Sequence, residues 1–263
     1  MRFLMCPPKY FEVAYEINPW MSVERRVDRS LAQKQWQALH DWLIHTAGAQ
    51  VEVIEPMPGL PDMVFTANAG VAAGKNFIRS RFRHRERRGE EAHFEKWFKK
   101  QGFKIRSVPE PLIFEGEGDA LFLGNDLYTG FHFRSDLEAH DAVAGILRVE
   151  YEGLELKDKR FYHLDTCFAP LNDKSALIFP EAFAPYARLT LLEMVPDPVS
   201  VPENEALRFA CNAVIAGSHA ALPLGCPVTA QAVRDRGLAV TELDFSEFIK
   251  AGGAGKCLVL KLP

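Results

Sequence analysis

The segment NAGVAAG at residues 68–74 is echoed by NAVIAG at residues 212–217, and this recurrence points to the fold. Three further apolar runs begin in the same way, in EGEGDALFLG (115–124), YHLDTCFAPL (162–171) and GAGKCLVLKL (253–262). A polar residue introduces or borders each run, and we call these the hub residues: Asn68, Asp119, Asp165, Asn212 and Cys257. They are separated by 51, 46, 47 and 45 residues, and self-similarity at a period of this size indicates repeated structural units.

Elements of both kinds lie between the hub residues. Arg2–Cys6 and Val51–Ile54 have the character of strands, whereas Val23–Ala47 and Glu90–Gly102 carry apolar residues at helical spacing. Five units of strands and helix would close into a ring and bring one strand start from each unit to a common centre. The sequence therefore predicts an α/β fold of five repeated units around a pseudo-fivefold axis, in a single domain over residues 1–263. An ordinary α/β protein with strands at similar intervals is the alternative.

The composition is that of a globular protein and restricts the partners. Hydrophobic residues make up 48% and charged residues 25% of the chain, and the net charge is −4. An acidic chain is not a general binder of nucleic acid or anionic membranes, and no apolar run reaches about 18 residues. The five cysteines form no CxxC pair, which argues against a disulfide framework or a structural zinc site and favours a reducing compartment. We therefore expect a cytoplasmic protein.

Cys257 is the candidate nucleophile. It follows GGAGK, whose glycines allow close backbone approach and offer N–H groups, and the neighbouring Lys256 would favour the reactive thiolate. A buried, inert strand cysteine is the alternative for this residue taken alone. His163 and Asp165 would lie on one side of a strand, where the carboxylate would position the imidazole as a general acid/base.

The segment FEGEGD places Glu115, Glu117 and Asp119 within five residues. Full extension would send all three to one side, although Gly116 and Gly118 favour a turn or bulge. Carboxylates that face one site need cations or hydrogen-bond donors. A metal ion or a cationic substrate would meet this need, and the absence of histidines at metal-ligand spacing favours the cationic substrate. A solvated acidic turn is the remaining alternative.

Other polar side chains are candidates for substrate contacts. Asp62 and Asn68 lie six residues apart in LPDMVFTANAG and would share one face of an extended run. Asn18 precedes a proline in EINPWM and is expected in a turn or loop. Residues 79–91, RSRFRHRERRGEE, contain six arginines, and most of this segment is predicted to be a solvated loop or helix start. One or two of these arginines, or Arg134, would suit a carboxylate clamp.

Five motifs, PDMVFTAN, FEGEGD, GFHFR, HLDT and GGAGKC, follow one another in the order seen in the guanidino-group modifying enzymes. From about residue 18 to residue 262 the chain resembles this superfamily, whose fold is the pentein α/β-propeller. The resemblance implies a cysteine hydrolase of a guanidinium compound that needs no metal or organic cofactor. It implies Cys257 as nucleophile, His163 as general acid/base and Glu115 as the carboxylate that orients His163, with Glu117 as the competitor.

The same resemblance implies which residues bind the substrate. Asp165 matches the carboxylate that grips the guanidinium in deiminases, and Asp62 matches a substrate-contacting residue of the dimethylarginine hydrolases. Two arginines match residues near the amino-acid end of the substrate. The expected substrate-binding set is Asn18, Asp62, Asn68, Arg87, Arg134 and Asp165.

Asn68 is where the chain departs from the deiminases and dimethylarginine hydrolases, which resemble each other in having Asp there. In having Asn at this position, the chain is similar to the cyanobacterial-type arginine dihydrolases. This similarity implies conversion of arginine to ornithine with release of two ammonia and carbon dioxide. A dihydrolase must hold a cationic guanidinium and then a neutral ureido group, and an Asn beside one Asp can hydrogen-bond to both.

Other activities of the superfamily stay open at this level. A deiminase or dimethylaminohydrolase would stop at citrulline, and an amidinotransferase would use an amine in place of water. A non-catalytic pentein and a metal-dependent hydrolase are more distant alternatives. The expected partner is a small guanidinium molecule such as arginine, with no nucleic acid and no membrane, and homo-oligomerisation is left open.

Overall fold

The structure, a computed structural model, describes residues 1–263. It contains five separate sheets of three strands each. The strands are β1 Arg2–Met5, β2 Gln50–Val53, β3 Gly70–Ala73, β4 Asn76–Arg79, β5 Lys104–Ser107, β6 Ala120–Leu123, β7 Asp126–Phe131, β8 Tyr151–Glu155, β9 Phe168–Pro170, β10 Ser175–Ile178, β11 Asp197–Ser200, β12 Val214–Ala216, β13 His219–Pro223, β14 Ala239–Leu243 and β15 Leu260–Leu262.

Within each unit an α-helix connects the second strand to the third, and two short α-helices lie between units. None is both long and apolar enough to cross a membrane. The α-helices are α1 Arg29–Asp41, α2 Glu90–Lys100, α3 Leu137–Leu147, α4 Pro185–Met194, α5 Glu203–Ala206, α6 Pro227–Arg234 and α7 Ser246–Ile249. A π-helix covers Trp42–Thr46, and 3-10 helices cover Pro61–Val64, Thr66–Ala69, Gly116–Gly118, Leu164–Thr166, Pro180–Ala182 and Lys256–Leu258.

Every sheet repeats one pattern, and the predicted five-unit α/β fold is confirmed. In the second unit, β3 pairs antiparallel with β4, and β4 pairs in parallel with β5 after the chain has passed through α2. Three more units follow in chain order, built on β6–β8, β9–β11 and β12–β14. The first unit combines the two ends of the chain, because β15 pairs antiparallel with β1 and β1 pairs in parallel with β2. This pairing closes the ring.

The first helix is shorter than the predicted Val23–Ala47. It begins at Arg29 because the Asp28 side chain accepts the Leu31 N–H at 3.0 Å and so caps the first turn. The helical path continues through the π-helix, and Gly48 ends it with a φ of +64°. Local capping therefore set the start of the helix, and the glycine set its end.

Apolar packing between strands and outer helices holds each unit together. The largest cluster contains 31 buried residues and joins the third, fourth and fifth units. In the second unit, Phe77 of β4 stacks on Phe98 of α2 with ring centroids 3.5 Å apart. Such contacts fix each helix on its sheet, and the first strands of the hairpins, with β15, are left to line the axis.

Each hub residue lies in a turn one to three residues before one of these innermost strands, β3, β6, β9, β12 or β15. All five hub residues are at most 3% exposed. The strands expected at His163–Asp165, at Asp62–Asn68 and at Cys257 are instead 3-10 turns. A tight turn at each strand start lets a polar side chain enter the axis of the ring.

The other end of the axis opens into a cavity of about 540 Å³. Mostly apolar residues from the far ends of the innermost strands line it, and Lys256 and Glu117 also reach it. These two side chains form an ion pair with a nitrogen–oxygen distance of 2.8 Å. The pair connects the cavity wall to the turn that carries Cys257.

We expect Gly116→Ala to lower the free energy of unfolding more than Gly74→Ala. Both glycines have a positive φ, +64° and +54°, so alanine adds about 1 kcal/mol of backbone strain at either position. At position 116 the new methyl group would also lie 2.6 Å from the Gly70 nitrogen, whereas at position 74 it would meet nothing within 4 Å. Urea unfolding should show a further loss of about 1 kcal/mol or more for Gly116→Ala. Equal losses would contradict the close approach.

Candidate active site

Three hub residues meet at the nucleophile candidate. The Cys257 thiol donates to Asp165 Oδ2 at 3.3 Å and accepts a hydrogen bond from Asn212 Nδ2 at 3.2 Å. Asn212 belongs to the turn before β12, Asp165 to the turn before β9, and Cys257 to the turn before β15. The ring therefore brings together side chains that are separated by up to 92 residues in the chain.

The surroundings of Cys257 favour a neutral thiol. Burial and the Asp165 carboxylate raise the pKa of Cys257 well above its ordinary value, although the Ala254 N–H and the Asn212 hydrogen bond act in the opposite direction. The expectation that Lys256 would hold this cysteine as a thiolate is not met, because Lys256 Nζ pairs with Glu117. Burial also raises the pKa of Asp165, to about 6, despite the nearby Lys256. Two acidic groups thus lie together without a cation of their own.

A second group of charges surrounds His163. Its Nε2 lies 2.8 Å from Glu115 Oε2, and the same oxygen accepts Arg134 Nη1 at 3.0 Å. Burial opposes ionisation of Glu115, but Arg134 and His163 outweigh it and hold the pKa of this carboxyl well below its ordinary range. A carboxylate bound to Nε2 fixes the tautomer with the proton on Nε2 and leaves Nδ1 as an acceptor. Glu115 is therefore the carboxylate that orients His163 in the structure.

Only two of the three carboxylates of FEGEGD lie near His163, with Glu115 Oε2 at 2.8 Å and Asp119 Oδ2 at 4.0 Å from its Nε2. Glu117 instead accepts a hydrogen bond from Lys256 Nζ at 2.8 Å, at the end of the axis where the apolar cavity opens. Asp119 accepts from Ser135 Oγ at 2.7 Å and from the Leu164 N–H at 3.0 Å. It thereby holds the turn that follows His163. No group of three His, Cys, Asp or Glu side chains is placed to hold a metal ion.

The Asn68 amide has a fixed orientation. Arg87 Nη1 donates to Asn68 Oδ1 at 2.8 Å, and since a guanidinium only donates, the amide oxygen must face it. Arg87 is held in turn by Glu90, with hydrogen bonds of 2.9 Å from Nε and from Nη2. Asn68 Nδ2 is consequently directed away from Arg87. At this position the chain presents a hydrogen-bond donor.

Gly118 brings that donor close to His163. A Cβ on this glycine would lie 2.5 Å from Asn68 Nδ2 and 3.2 Å from the His163 Nδ1. The two nitrogens therefore both lie next to the position that a side chain on this glycine would occupy. Only a residue without a side chain fits there.

Asp62 and Asn18 lie at the edge of this group. Asp62 Oδ2 accepts the Tyr15 hydroxyl at 3.0 Å, and burial raises the pKa of the Asp62 carboxyl. Asn18 Nδ2 donates to the Ala251 carbonyl at 3.0 Å, and its Oδ1 accepts the Trp20 N–H at 2.9 Å. Asn18 is thus tied to the loop that leads to Cys257.

Four buried polar atoms of the site have no hydrogen-bond partner within the chain. They are Asp62 Oδ1, Asn68 Nδ2, His163 Nδ1 and Asp165 Oδ1. Each residue has one polar atom bound by protein and one left unpaired, which is costly unless a ligand meets it. The unpaired set combines two carboxylate oxygens with a donor and an acceptor. This combination suits a cation that carries N–H groups, together with a water molecule.

The sequence did not reveal several residues that shape the site. Glu90, which fixes Arg87, has a pKa raised to about 7 by burial, and only its place after an arginine-rich run hinted at a role. Tyr162 packs under the Arg134 guanidinium, 4.5 Å from ring centroid to carbon, and donates to the Gly252 carbonyl at 2.6 Å. The N–H groups of the GGAGK segment were expected to face a substrate. The Ala254 N–H of this segment instead binds Asn212 Oδ1 at 3.1 Å, as does the N–H of the following Cys257.

The chain has close relatives among known proteins. It is 42% identical over 267 residues to the bifunctional arginine dihydrolase/ornithine cyclodeaminase ArgZ of Synechocystis sp., covering 100% of this chain and 38% of that protein. It is 40% identical over 261 residues to an N(G),N(G)-dimethylarginine dimethylaminohydrolase of Mycobacterium tuberculosis, covering 99% of this chain and 85% of the relative. The chain thus spans less than half the length of ArgZ. No family model matches it.

The solved structures that resemble this chain are of the same kinds of protein as these sequence relatives. The N-terminal domain of ArgZ, as an Asn-to-Ser variant covalently bound to a reaction intermediate, superposes with a TM-score of 0.95 at 42% identity, covering 100% of this chain and 97% of that one. A Cys-to-Ser variant of the same domain was determined with substrate bound, and its TM-score is 0.94. A dimethylarginine dimethylaminohydrolase at 22% identity shares the fold, with a TM-score of 0.85.

The five-unit ring with a cysteine, a histidine and carboxylates at its axis defines an α/β-propeller of the pentein type. The chain belongs to the superfamily of guanidino-group modifying enzymes, with arginine dihydrolases and dimethylarginine dimethylaminohydrolases as its relatives.

We expect Asp165→Asn and Glu115→Gln to change stability in opposite directions at pH 7.5. The pKa of Asp165 is raised from 3.8 to about 6, so its ionisation opposes folding above pH 6. Removing the charge should increase the free energy of unfolding by about 1–3 kcal/mol. The pKa of Glu115 is lowered instead, so its charge favours folding at neutral pH, and Glu115→Gln should decrease the free energy of unfolding.

The two effects can be separated by their pH dependence. The gain from Asp165→Asn should shrink between pH 6 and pH 4, because the parent carboxyl becomes protonated there. Urea unfolding at several pH values measures both variants, each of which preserves the shape of the original side chain. A loss of stability in Asp165→Asn at pH 7.5 would show that this carboxylate is stabilised by a partner.

Proposed function

We propose that this chain hydrolyses the guanidinium group of arginine in a cysteine-dependent reaction, giving ornithine, two ammonia and carbon dioxide. The observation that carries the proposal is the fixed Asn68 amide, whose unpaired Nδ2 lies beside the unpaired Nδ1 of His163. The similarity to relatives named as arginine dihydrolases supports arginine as the substrate.

The substrate cation is held by the unpaired carboxylate oxygens. Asp165 Oδ1 is free to accept guanidinium N–H groups, while its other oxygen touches the Cys257 thiol. Asp62 Oδ1 is a second free acceptor. A guanidinium between these groups would offset the buried negative charge that raises the pKa of Asp165, and it places the reacting carbon near sulfur.

Binding of the cation also activates the nucleophile. In the free protein, burial and Asp165 keep the thiol protonated. A positive charge next to the sulfur lowers the cost of ionisation, so the thiolate forms when substrate is present. The thiolate then adds to the guanidinium carbon and forms the C–S bond.

His163 moves the protons of the first half of the reaction. Its Nδ1 accepts the proton released by the thiol and gives it to the departing nitrogen, so that ammonia leaves and an S-linked thiouronium remains. Glu115 holds the ring in place through Nε2, and Arg134 in turn holds Glu115. Nδ1 next takes a proton from water, the hydroxide adds to the same carbon, and the C–S bond breaks to give citrulline.

Asn68 favours the continuation to a second cycle. Water accepts a hydrogen bond from Asn68 Nδ2 and donates one to His163 Nδ1, which matches the two unpaired atoms. The same donor can bind the oxygen of a neutral ureido group. An Asp would present an acceptor instead and would repel that oxygen. The second cycle expels another ammonia and leaves the carbamate of ornithine, which loses carbon dioxide.

A single hydrolysis that ends at citrulline is the second candidate. The dimethylarginine dimethylaminohydrolase relative, at 40% identity over 85% of its own length, favours it. The catalytic residues of such an enzyme would be the same, and the two candidates differ in the fate of the ureido product.

The remaining properties follow from the same proposal. All five cysteines are free and buried, which favours a reducing compartment, and we place the protein in the cytoplasm. A single catalytic domain over residues 1–263 and the possible assembly of several copies stay predictions.

Purified protein incubated with arginine should release two ammonia for each arginine consumed, with ornithine as the amino-acid product. Cys257→Ser should abolish turnover, because a hydroxyl of ordinary pKa cannot replace the thiolate. Enzymatic ammonia determination and chromatographic separation of ornithine from citrulline measure the outcome. One ammonia with citrulline would establish the single hydrolysis, and turnover in folded Cys257→Ser would remove the cysteine from the mechanism.

Asn68→Asp should shift the product from ornithine towards citrulline. Arg87 would hold one carboxylate oxygen, and the other would replace the donor beside His163. We expect the ammonia released per arginine to fall from about two towards one, measured in the same assay. Asn125→Asp, which adds the same charge at an exposed turn, is the matched control and should keep the parent ratio. An unchanged ratio in Asn68→Asp would show that this amide does not control the second step.

A further inference from the structure

Asn212 is the most completely hydrogen-bonded side chain near the nucleophile. Its Oδ1 accepts the N–H groups of Ala254 and Cys257, both at 3.1 Å. Its Nδ2 donates to Cys257 Sγ at 3.2 Å and to the Asp165 carbonyl at 3.0 Å. The residue is fully buried. Both protons and both lone-pair directions of the amide are therefore used, and the side chain is held in one orientation.

The acceptor half of this amide shapes the loop before the nucleophile. The side-chain oxygen binds the N–H groups at both ends of the segment from Ala254 to Cys257. The backbone carbonyl of Asn212 also accepts the Lys256 N–H, at 3.0 Å. Neighbouring Gly253 packs so closely that a Cβ there would lie 2.7 Å from the Phe65 ring. The loop has little freedom as a result, and the Cys257 side chain leaves it in a defined direction.

The donor half acts on the sulfur itself. The thiol has two side-chain partners, Asp165 as acceptor and Asn212 as donor. When the proton leaves, the Asp165 carboxylate has nothing to accept and its charge repels the thiolate. The Asn212 N–H keeps its bond and strengthens it, since hydrogen bonds to charged groups are stronger than those between neutral groups.

We propose that the Asn212 amide is the hydrogen-bond donor that stabilises and aims the Cys257 thiolate. The proposal rests on the proposed role of Cys257 as nucleophile, but not on the identity of the guanidine or on the number of hydrolytic steps. Asn212 occupies in its repeat the place that Asn68 occupies in another, so one amino-acid type serves two purposes at the axis: one amide faces the histidine, and the other faces the sulfur.

Other charged and titratable groups face the sulfur. Asp165 lies 3.3 Å from it and opposes ionisation. Lys256 is adjacent in sequence, but its ammonium is paired with Glu117 at 2.8 Å. The Tyr162 hydroxyl is nearby and donates to the Gly252 carbonyl. None of these groups donates a hydrogen bond to Sγ. The Ala254 N–H also lowers the pKa of Cys257, and since Asn212 Oδ1 accepts this N–H at 3.1 Å, its effect on the sulfur depends on the same amide.

The test is the pH dependence of Cys257 alkylation in the substrate-free protein. Iodoacetamide reacts with the thiolate, and mass spectrometry of the peptide that contains Cys257 measures the rate without interference from the other cysteines. Asn212→Ser removes the donor at the sulfur, and we expect the midpoint of alkylation to rise by about one pH unit or more. Asn125→Ser makes the same chemical change at an exposed turn, and its midpoint should equal that of the parent.

A parent-like midpoint in a folded Asn212→Ser protein would overturn the proposal and leave Asn212 a structural role. If the variant does not fold, the parent supplies the measurement. The side-chain amide resonances of Asn212 in ¹⁵N-labelled protein should titrate with the midpoint of Cys257 alkylation and should not do so in Cys257→Ser. Amide resonances that ignore this midpoint would also overturn the proposal. Because neither experiment uses substrate, a failure here is distinct from a failure of the arginine assay.

Discussion

The antiparallel pairing of β15 with β1 is the constraint on which the rest of the structure depends. It joins the last strand of the chain to the first and completes the one unit that is not continuous in sequence. The turn that carries Cys257 lies directly before β15, so the same pairing brings the sulfur to the axis. Without this closure, Asp165 and Asn212 would form one wall of a site that lacked Cys257.

Buried charges are arranged at the axis in two ways. Glu115 with Arg134, Arg87 with Glu90, and Lys256 with Glu117 are ion pairs within the protein. They make the surroundings rigid and fix the direction of neighbouring groups. Asp165 and Asp62 lie among them with one unpaired oxygen each. The charged groups that hold the neighbouring side chains in place are thus paired within the protein. Asp165 and Asp62 each keep an unpaired oxygen that a cationic ligand would bind.

The side-chain amides of two asparagines at the axis are oriented by hydrogen-bond donors. Asn68 and Asn212 have the same side chain and equivalent places in their repeats, and donors bind the oxygen of both, but their nitrogens have different surroundings. Arg87 takes the oxygen of Asn68 and leaves its nitrogen unpaired. Two backbone N–H groups take the oxygen of Asn212, and its nitrogen binds sulfur. In both cases a donor that cannot be reversed fixes the orientation, because neither a guanidinium nor an N–H group accepts a hydrogen bond.

Part of this could be predicted from individual residues. The spacing of the hub residues predicted five units because each unit needs a similar length of chain to form its hairpin, helix and third strand. The order of the motifs predicted that His163, Glu115 and Cys257 belong together. Strand alternation was wrong for the hub segments, since the turns that direct them inward are set by packing against neighbouring units rather than by local pattern.

By itself, the sequence determined the number of units, the superfamily and the residue types available at the axis, since these follow from spacing and chemistry along the chain. Only the tertiary structure decided that Glu115 binds His163 while Glu117 pairs with Lys256, and that Arg87 directs the donor of Asn68 towards the site. Glu115 and Glu117 are chemically alike and two residues apart, so no local signal separates them. The difference arises from which neighbouring unit each side chain meets when the ring closes.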